Sequence, residues 1–317
     1  MASVADDRAR MERDLLRSAG RCIADYSLIE PGDRIMVCLS GGKDSYTMLQ
    51  LLGRLQRRAP VSFELLAVHL DQGQPGYDGA PLEAWLASEG YAYRILREDT
   101  YSVVLRNVPE GRTYCSVCSR LRRGVLYNAA EALGCTKIAL GHHRDDAIET
   151  LMLNLMYTGT LAAMPPKLVS DDRRNVVIRP LLLCAEEAIA RYAAACAFPV
   201  LPCNLCSSQD NLKRKQVKRV LSELEALSPR LRQSMLAAIT RVRPSQLGDV
   251  DLWRALSLPV SGLGDGQAGG LGGDQGRARV APSGAAVGPE EDELAAASEG
   301  TAFSLSYRRK RLPLLAE

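Results

Sequence analysis

The feature that most narrows the folds open to this chain is an apolar run, Ile35-Met36-Val37-Cys38-Leu39. It leads without a break into Ser40-Gly41-Gly42-Lys43-Asp44-Ser45 and then into helical spacing over residues 46–55. A run with no polar alternation is the pattern of a strand buried on both faces. The same order recurs downstream. Residues 63–70, 91–96, 137–141 and 176–178 read as further strands, and 81–89, 119–133, 147–157 and 186–197 as helices between or after them. Strands alternating with helices of this length predict an α/β fold built on a doubly wound parallel sheet. In such sheets ligands bind beyond the carboxyl ends of the strands. The polar signals fall at those ends, after Leu39, Leu70 and Leu140.

Around that unit the chain divides by composition. Residues 1–30 read as an N-terminal helix with an apolar stripe at Met11, Leu15, Leu16 and Ile23, and 31–200 carry the strand–helix alternation. Residues 201–253 hold a cysteine pair and a basic helical stretch, and 254–317 form a Gly-, Ala- and acid-rich tail with no periodicity, expected to be disordered. No apolar run approaches the ~20 residues that span a bilayer, and the charged opening has no signal core, so neither a membrane protein nor export is expected. Nine cysteines is an odd number in a chain too large to need covalent staples. A reduced, cytoplasmic protein with metal-binding or reactive thiols is the expectation. The net charge of +3 permits an anionic partner, and aromatics at 5% argue against base stacking as the main mode of holding nucleic acid.

Three constellations carry chemistry. In the loop, Gly41 and Gly42 let the backbone turn tightly against a ligand, the amides beyond them open a helix N-terminus, and Lys43 adds a point charge. Ser40 and Ser45 flank them, so a phosphate site is favoured over an ordinary turn. Asp44 stands where a Walker A loop needs Ser or Thr. Two C-x-x-C pairs, Cys115/Cys118 and Cys203/Cys206, have metal-ligand spacing; spacing alone leaves zinc and iron–sulfur level, with a redox disulfide third. Cys22, Cys38, Cys135, Cys184 and Cys196 sit in apolar or helical stretches and read as packing residues. After the fourth strand come His142, His143, Asp145 and Asp146. One aspartate there could simply cap the following helix, but the set exceeds that need, and a nucleotide or magnesium role is favoured for part of it. His69, within an apolar strand, reads as a satisfied core residue. Arg120, Arg122 and Arg123 beside one pair, and Lys213, Arg214, Lys215, Lys218 and Arg219 after the other, form an electrostatic footprint suited to an RNA backbone.

The loop resembles the pyrophosphate loop of the ATP-pyrophosphatases, which split ATP between the α- and β-phosphates and adenylate a substrate oxygen. Further stretches are similar to the bacterial tRNA 2-thiocytidine synthetases. These are Tyr114-Cys115-Ser116-Val117-Cys118-Ser119-Arg120-Leu121-Arg122-Arg123-Gly124, Leu70-Asp71-Gln72 with Gln74-Pro75-Gly76, Gly141-His142-His143-Arg144-Asp145-Asp146, Met164-Pro165-Pro166-Lys167 and Pro202-Cys203-Asn204-Leu205-Cys206. The resemblance runs in unbroken order over about residues 10–250; Ser207 stands where that family has glycine. It implies an ATP-dependent tRNA sulfurtransferase that makes 2-thiocytidine at position 32 of the anticodon loop. ATP and Mg2+ would be held by Ser40, Gly41, Gly42, Lys43, Asp44, Ser45 and His142, with Lys43, Asp44, Asp145 and Asp146 catalytic. A [4Fe–4S] cluster on Cys115, Cys118 and Cys206, with Cys203 the alternate third ligand, would leave one iron open to carry sulfur. The resemblance further implies a cysteine desulfurase as sulfur donor and a homodimer. Two other readings stay open on the residues: a pyrophosphatase-type enzyme with structural zinc and a different nucleophile, and a non-catalytic, nucleotide-gated RNA-binding module.

Overall fold

A computed structural model describes residues 4–107, 115–201 and 212–258 of the chain. In chain order the elements are α1 (Val4–Asp25), β1 (Arg34–Leu39), α2 (Lys43–Gln56), β2 (Glu64–Asp71), α3 (Ala80–Ser88), β3 (Tyr93–Arg97), α4 (Thr100–Asn107) and α5 (Cys115–Ala132). There follow β4 (Lys137–Ala139), α6 (Arg144–Leu153) running into a π-turn (Asn154–Thr158), β5 (Lys167–Val169), β6 (Val176–Ile178), α7 (Glu186–Cys196), α8 (Leu212–Leu227), α9 (Leu231–Thr240) and α10 (Val250–Ala255). The strands form one six-stranded sheet in the order β3-β2-β1-β4-β6-β5.

β1 is the central strand, paired in parallel with β2 on one side and β4 on the other. Its side chains split between the faces as the uninterrupted apolar run requires. Ile35, Val37 and Leu39 pack with α1, α2, α3 and α7, while Met36 and Cys38 pack on the opposite face with Leu126 and Ala130 of α5. The sheet is parallel apart from β5, an edge strand antiparallel to β6. Three-residue β5 was not foreseen: Lys167-Leu168-Val169 is too short to show a period and follows two prolines. α4 was missed for the same reason of length. α5 begins four residues before its expected start at 119, because only its later turns carry the apolar stripe. α1 is no separate appendage, since Leu15, Ala19 and Cys22 are buried in the main core.

The basic region after 210 folds as α8 and α9 against α6, burying Val217 and Leu221 with Ile148 and Leu153. The tail from 259 onward lies outside the described residues. Strand order reverses between β1 and β4, so the crevice beyond their carboxyl ends is the topological switch point where α/β sheets take ligands. The loops that end there are β1–α2 and β4–α6.

Candidate functional site

The β1–α2 loop is built so that its helix starts without a protein cap. Gly42 is the N-cap residue of α2 and supplies no side chain, and no side-chain hydrogen bond closes that terminus. The loop is instead held from behind. Ser45 Oγ donates to the Gly42 carbonyl at 2.9 Å and accepts from the Ser40 amide at 3.2 Å. Gly41 has φ +82°, a left-handed conformation, and a Cβ there would come within 3.0 Å of Leu201. Leu201 also donates its amide to the Gly41 carbonyl at 2.9 Å. A helix start with uncapped amides, reached by a glycine backbone, is a receptor for an anion.

Lys43 sits at this start with Nζ 3.1 Å from Asp44 and 3.1 Å from Glu186 at the head of α7. Burial works against the charge of Lys43, but the Asp44 and Glu186 carboxylates outweigh it and hold the ammonium above the usual lysine range. Glu186 is the converse case. Burial would raise its pKa, and the bond from Lys43 holds it below the ordinary carboxylate value. Glu186 carries no sequence signal of its own, because an acid in the first turn of a helix is ordinary there.

The β4–α6 loop presses onto the same turn. A Cβ on Gly141 would meet the Asp44 carbonyl carbon and the Ser45 amide nitrogen at 3.3 Å, so only glycine lets the two loops touch. His142 is half-buried in this loop. His143, not an aspartate, caps α6: its ring accepts from the Asp146 amide, and the Asp146 carboxylate accepts from the His143 amide at 2.9 Å. His143 Nε2 lies 3.8 Å from Asp44 Oδ1, so the two strand ends meet at this pair.

Asp145 points the other way. It is 3% exposed, and both its oxygens are taken: Oδ2 accepts the Glu186 amide at 2.8 Å, and Oδ1 accepts from Arg232 of α9 at 2.9 Å and Arg144 at 3.1 Å. Burial pushes its pKa up, but these three donors outweigh it and the carboxyl stays below the usual range. Arg232 could not be found from sequence, since nothing local ties it to a residue on α6. One turn beyond, Glu149 is buried facing Lys218 at 3.5 Å and Arg214 at 4.0 Å, and for it burial wins and raises the pKa. His69 is the core residue its strand suggested: it is buried, Nδ1 lies 2.8 Å from the Leu39 carbonyl, and Nε2 bonds the Tyr77 hydroxyl.

Cys118 brings the first cysteine pair to the same rim. Its half-buried thiol donates to Gln72 Oε1 at 3.4 Å, just past the end of β2. Cys115 opens α5 three residues earlier, about one helical turn away. Cys118 is in no disulfide. A soft sulfur donor on a helix turn at a strand end fits a thiophilic metal centre, zinc or iron–sulfur alike. Cys203, Cys206 and Ser207 lie outside the described residues, and among the described residues no group of three or more His, Cys, Asp or Glu is set to hold a metal. The segments flanking 202–211 both end at the rim: Leu201 lies on Gly41, and Arg214 lies 3.8 Å from Asp146. Among the described residues no helix is long and apolar enough to cross a membrane.

Residues 11–221 match the model of the PP-loop domain. A tRNA-cytidine(32) 2-sulfurtransferase of Sorangium cellulosum (strain So ce56) is 55% identical over 252 residues, covering 80% of this chain and 89% of that protein. One from Anaeromyxobacter dehalogenans (strain 2CP-C) is 60% identical over 248 residues, 78% of this chain and 86% of that protein. One from Azotobacter vinelandii (strain DJ / ATCC BAA-1303) is 54% identical over 260 residues, 82% of this chain and 95% of that protein. Among solved structures, the U34-tRNA thiolase NcsA from Methanococcus maripaludis with its [4Fe-4S] cluster aligns with a TM-score of 0.57 at 22% identity. That alignment covers 75% of this chain and 79% of that one, a likeness of fold.

Proposed function

The chain belongs to the PP-loop family and, within it, to the tRNA-cytidine(32) 2-sulfurtransferases, and from that premise we infer how its own residues divide the work of tRNA thiolation. The observation that carries the reading is that an uncapped, lysine-bearing helix start follows β1 and a cysteine thiol bonds Gln72 just past the end of the neighbouring β2, both on one rim of the sheet.

ATP binds with its phosphates on the amides of residues 40–45 and the start of α2. Ser40, Gly41, Gly42 and Ser45 shape that cradle, and Lys43 leaves Glu186 to neutralise charge as it builds on the phosphates. Asp44, with an oxygen facing both Lys43 and His143, is the residue to hold Mg2+ against the phosphates. His142 and Asp146 stand beside the nucleotide. Asp145 is reassigned from a catalytic to a positioning role, because its oxygens are committed to Glu186, Arg144 and Arg232. The O2 of cytidine 32, in the anticodon loop, attacks the α-phosphorus and pyrophosphate leaves; the adenylated oxygen is then a good leaving group. Sulfur takes its place at C2 and AMP departs.

The donor set fits a [4Fe–4S] cluster on Cys115, Cys118 and Cys206, or Cys203 in place of Cys206, which when bound supplies an iron open to sulfur. The sulfur is drawn from cysteine through a desulfurase. The enzyme works as a cytoplasmic homodimer, with basic α8 and the arginines of α5 along the RNA backbone.

The test is anaerobic purification of wild type and Cys118→Ala, followed by mass spectrometry of nucleosides from treated tRNA. The wild type should be brown, with absorbance near ~400 nm, and should form 2-thiocytidine. Cys118→Ala should lose both colour and product while staying folded and keeping tRNA-dependent ATP–pyrophosphate exchange. A colourless, zinc-loaded wild type, or full thiolation by the variant, refutes the cluster assignment.

A further inference from the structure

α6 does not end as an ordinary helix. After Leu153 it widens into the π-turn 154–158, which closes on Gly159 in the left-handed conformation at φ 67°. π-turns cost hydrogen-bond geometry and collect at functional sites. This one is firmly held: Asn154 is 2% exposed, its side-chain Nδ2 donates to the Ala162 carbonyl at 3.0 Å, and the Thr158 hydroxyl donates to the Asn154 carbonyl at 2.9 Å. What the held turn presents is apolar. Every residue from 155 to 161 is exposed, including Leu155, Met156, Tyr157 and Leu161. Other large apolar side chains that are exposed are scattered along the chain. Tyr157 differs from every other aromatic residue among the described residues, all of which are buried or half-buried.

The surroundings of Tyr157 are cationic. Lys213 Nζ lies 5.0 Å from the ring centroid, and the hydroxyl donates to Gln216 Oε1 at 2.9 Å, both on α8. With these contacts in place the residue is still 42% exposed. Lys215 and Arg219 are exposed elsewhere on the same helix. An exposed ring fixed at its hydroxyl beside a lysine is a surface for a flat group next to negative charge. A protein partner would find the apolar residues but would have to bury the charge of Lys213. An unstacked nucleotide satisfies both halves, with its base on the ring and its phosphates on α8.

We propose that Tyr157 on this π-turn stacks an unpaired base of the bound tRNA loop, and that α8 holds the flanking phosphates. The site is a positioning one. Tyr157 lies 13 residues beyond Arg144 at the rim, along α6 and the π-turn, about 20 Å at helical rise, so the stacked base is another base of the loop and not the modified cytidine. One ring in this place agrees with a composition too poor in aromatics for stacking to be the main mode. The proposal rests on tRNA being the substrate.

The experiment compares wild type, Tyr157→Phe and Tyr157→Leu by tRNA affinity at fixed salt, by kcat and KM for thiolation, and by sedimentation. Tyr157→Leu keeps apolar bulk and loses the π-face. It should bind tRNA about five- to a hundredfold more weakly, with the loss in KM rather than kcat and no fall in melting temperature. Tyr157→Phe should keep most of the affinity. Wild-type affinity in Tyr157→Leu overturns the proposal. So does a dimer that Leu155→Glu dissociates while tRNA affinity stays constant, which would make the patch a subunit interface. If the wild type itself neither bound nor thiolated tRNA, the substrate assignment would fall and this inference with it. An active wild type beside an indifferent Tyr157→Leu removes the inference alone.

Discussion

Two helices start side by side on the rim of the sheet, and they finish their N-termini in opposite ways. α6 closes its own: the His143 ring and the Asp146 carboxylate satisfy each other's backbone amides in a full capping box. α2 leaves its start without a side-chain cap, behind a glycine and beside a lysine. Both termini carry the same partial positive charge from aligned peptide dipoles. The sequence around α6 spends that charge internally, and the sequence around α2 keeps it for something else. A cluster of histidines and aspartates is therefore a weaker sign of a ligand than two glycines and a lysine, because acids at a helix start can serve the helix.

The harshest test of the contrast is to remove the charge at the open terminus. Lys43→Ala should lower tRNA-dependent ATP–pyrophosphate exchange by about a hundredfold or more, the scale seen when one preorganised donor to developing charge is lost. The fold should survive, since Lys43 contacts only Asp44 and Glu186 among the described partners. Exchange within a few-fold of wild type would mean that the open terminus is not the phosphate cradle.

The closed terminus should fail in stability first. Asp145→Ala strands the Arg232 guanidinium, the Arg144 side chain and the Glu186 amide at once. Breaking a buried, hydrogen-bonded charge group of this kind costs about 3 kcal/mol, readable as a lower urea midpoint. An unchanged midpoint would show that Asp145 does not hold α6, α7 and α9 together.

The difference between these termini also marks how far the sequence could be read. β1, its loop and α2 were legible because strand burial, glycine conformation and helix spacing are all local and agree with one another. The switch-point location followed from the alternation of strands and helices. His143 as the cap was not legible: the apolar period of the following helix begins at Ala147, which hid a start at Arg144 and made an aspartate seem the natural cap. Glu186 and Arg232 act through partners 143 and 87 residues away in sequence, so no local pattern could reveal them. Tyr157 was read only as the end of a helix, since a π-turn has no apolar period of its own.

The finest distinction lies within α6, where two buried carboxylates one turn apart titrate in opposite directions. Asp145 is held below its ordinary value, so the stability it contributes is present above its unfolded pKa of about 3.9 and is lost only as pH falls through the lower folded value. Glu149 is raised above its ordinary value by burial, despite Lys218 and Arg214. Its folded form binds a proton more tightly than its unfolded form, so its contribution declines as pH climbs from about 4.3 through the raised folded value. Glu149→Gln removes that decline and returns Lys218, whose side chain is already half exposed, to water. Urea midpoints taken from about pH 4 upward should therefore fall more steeply with pH, or rise less, for wild type than for Glu149→Gln, the two differing within about 1 kcal/mol, as ordinary single substitutions do. Parallel pH profiles would mean that α8 already neutralises Glu149, and that α6 carries two carboxylates of the same kind.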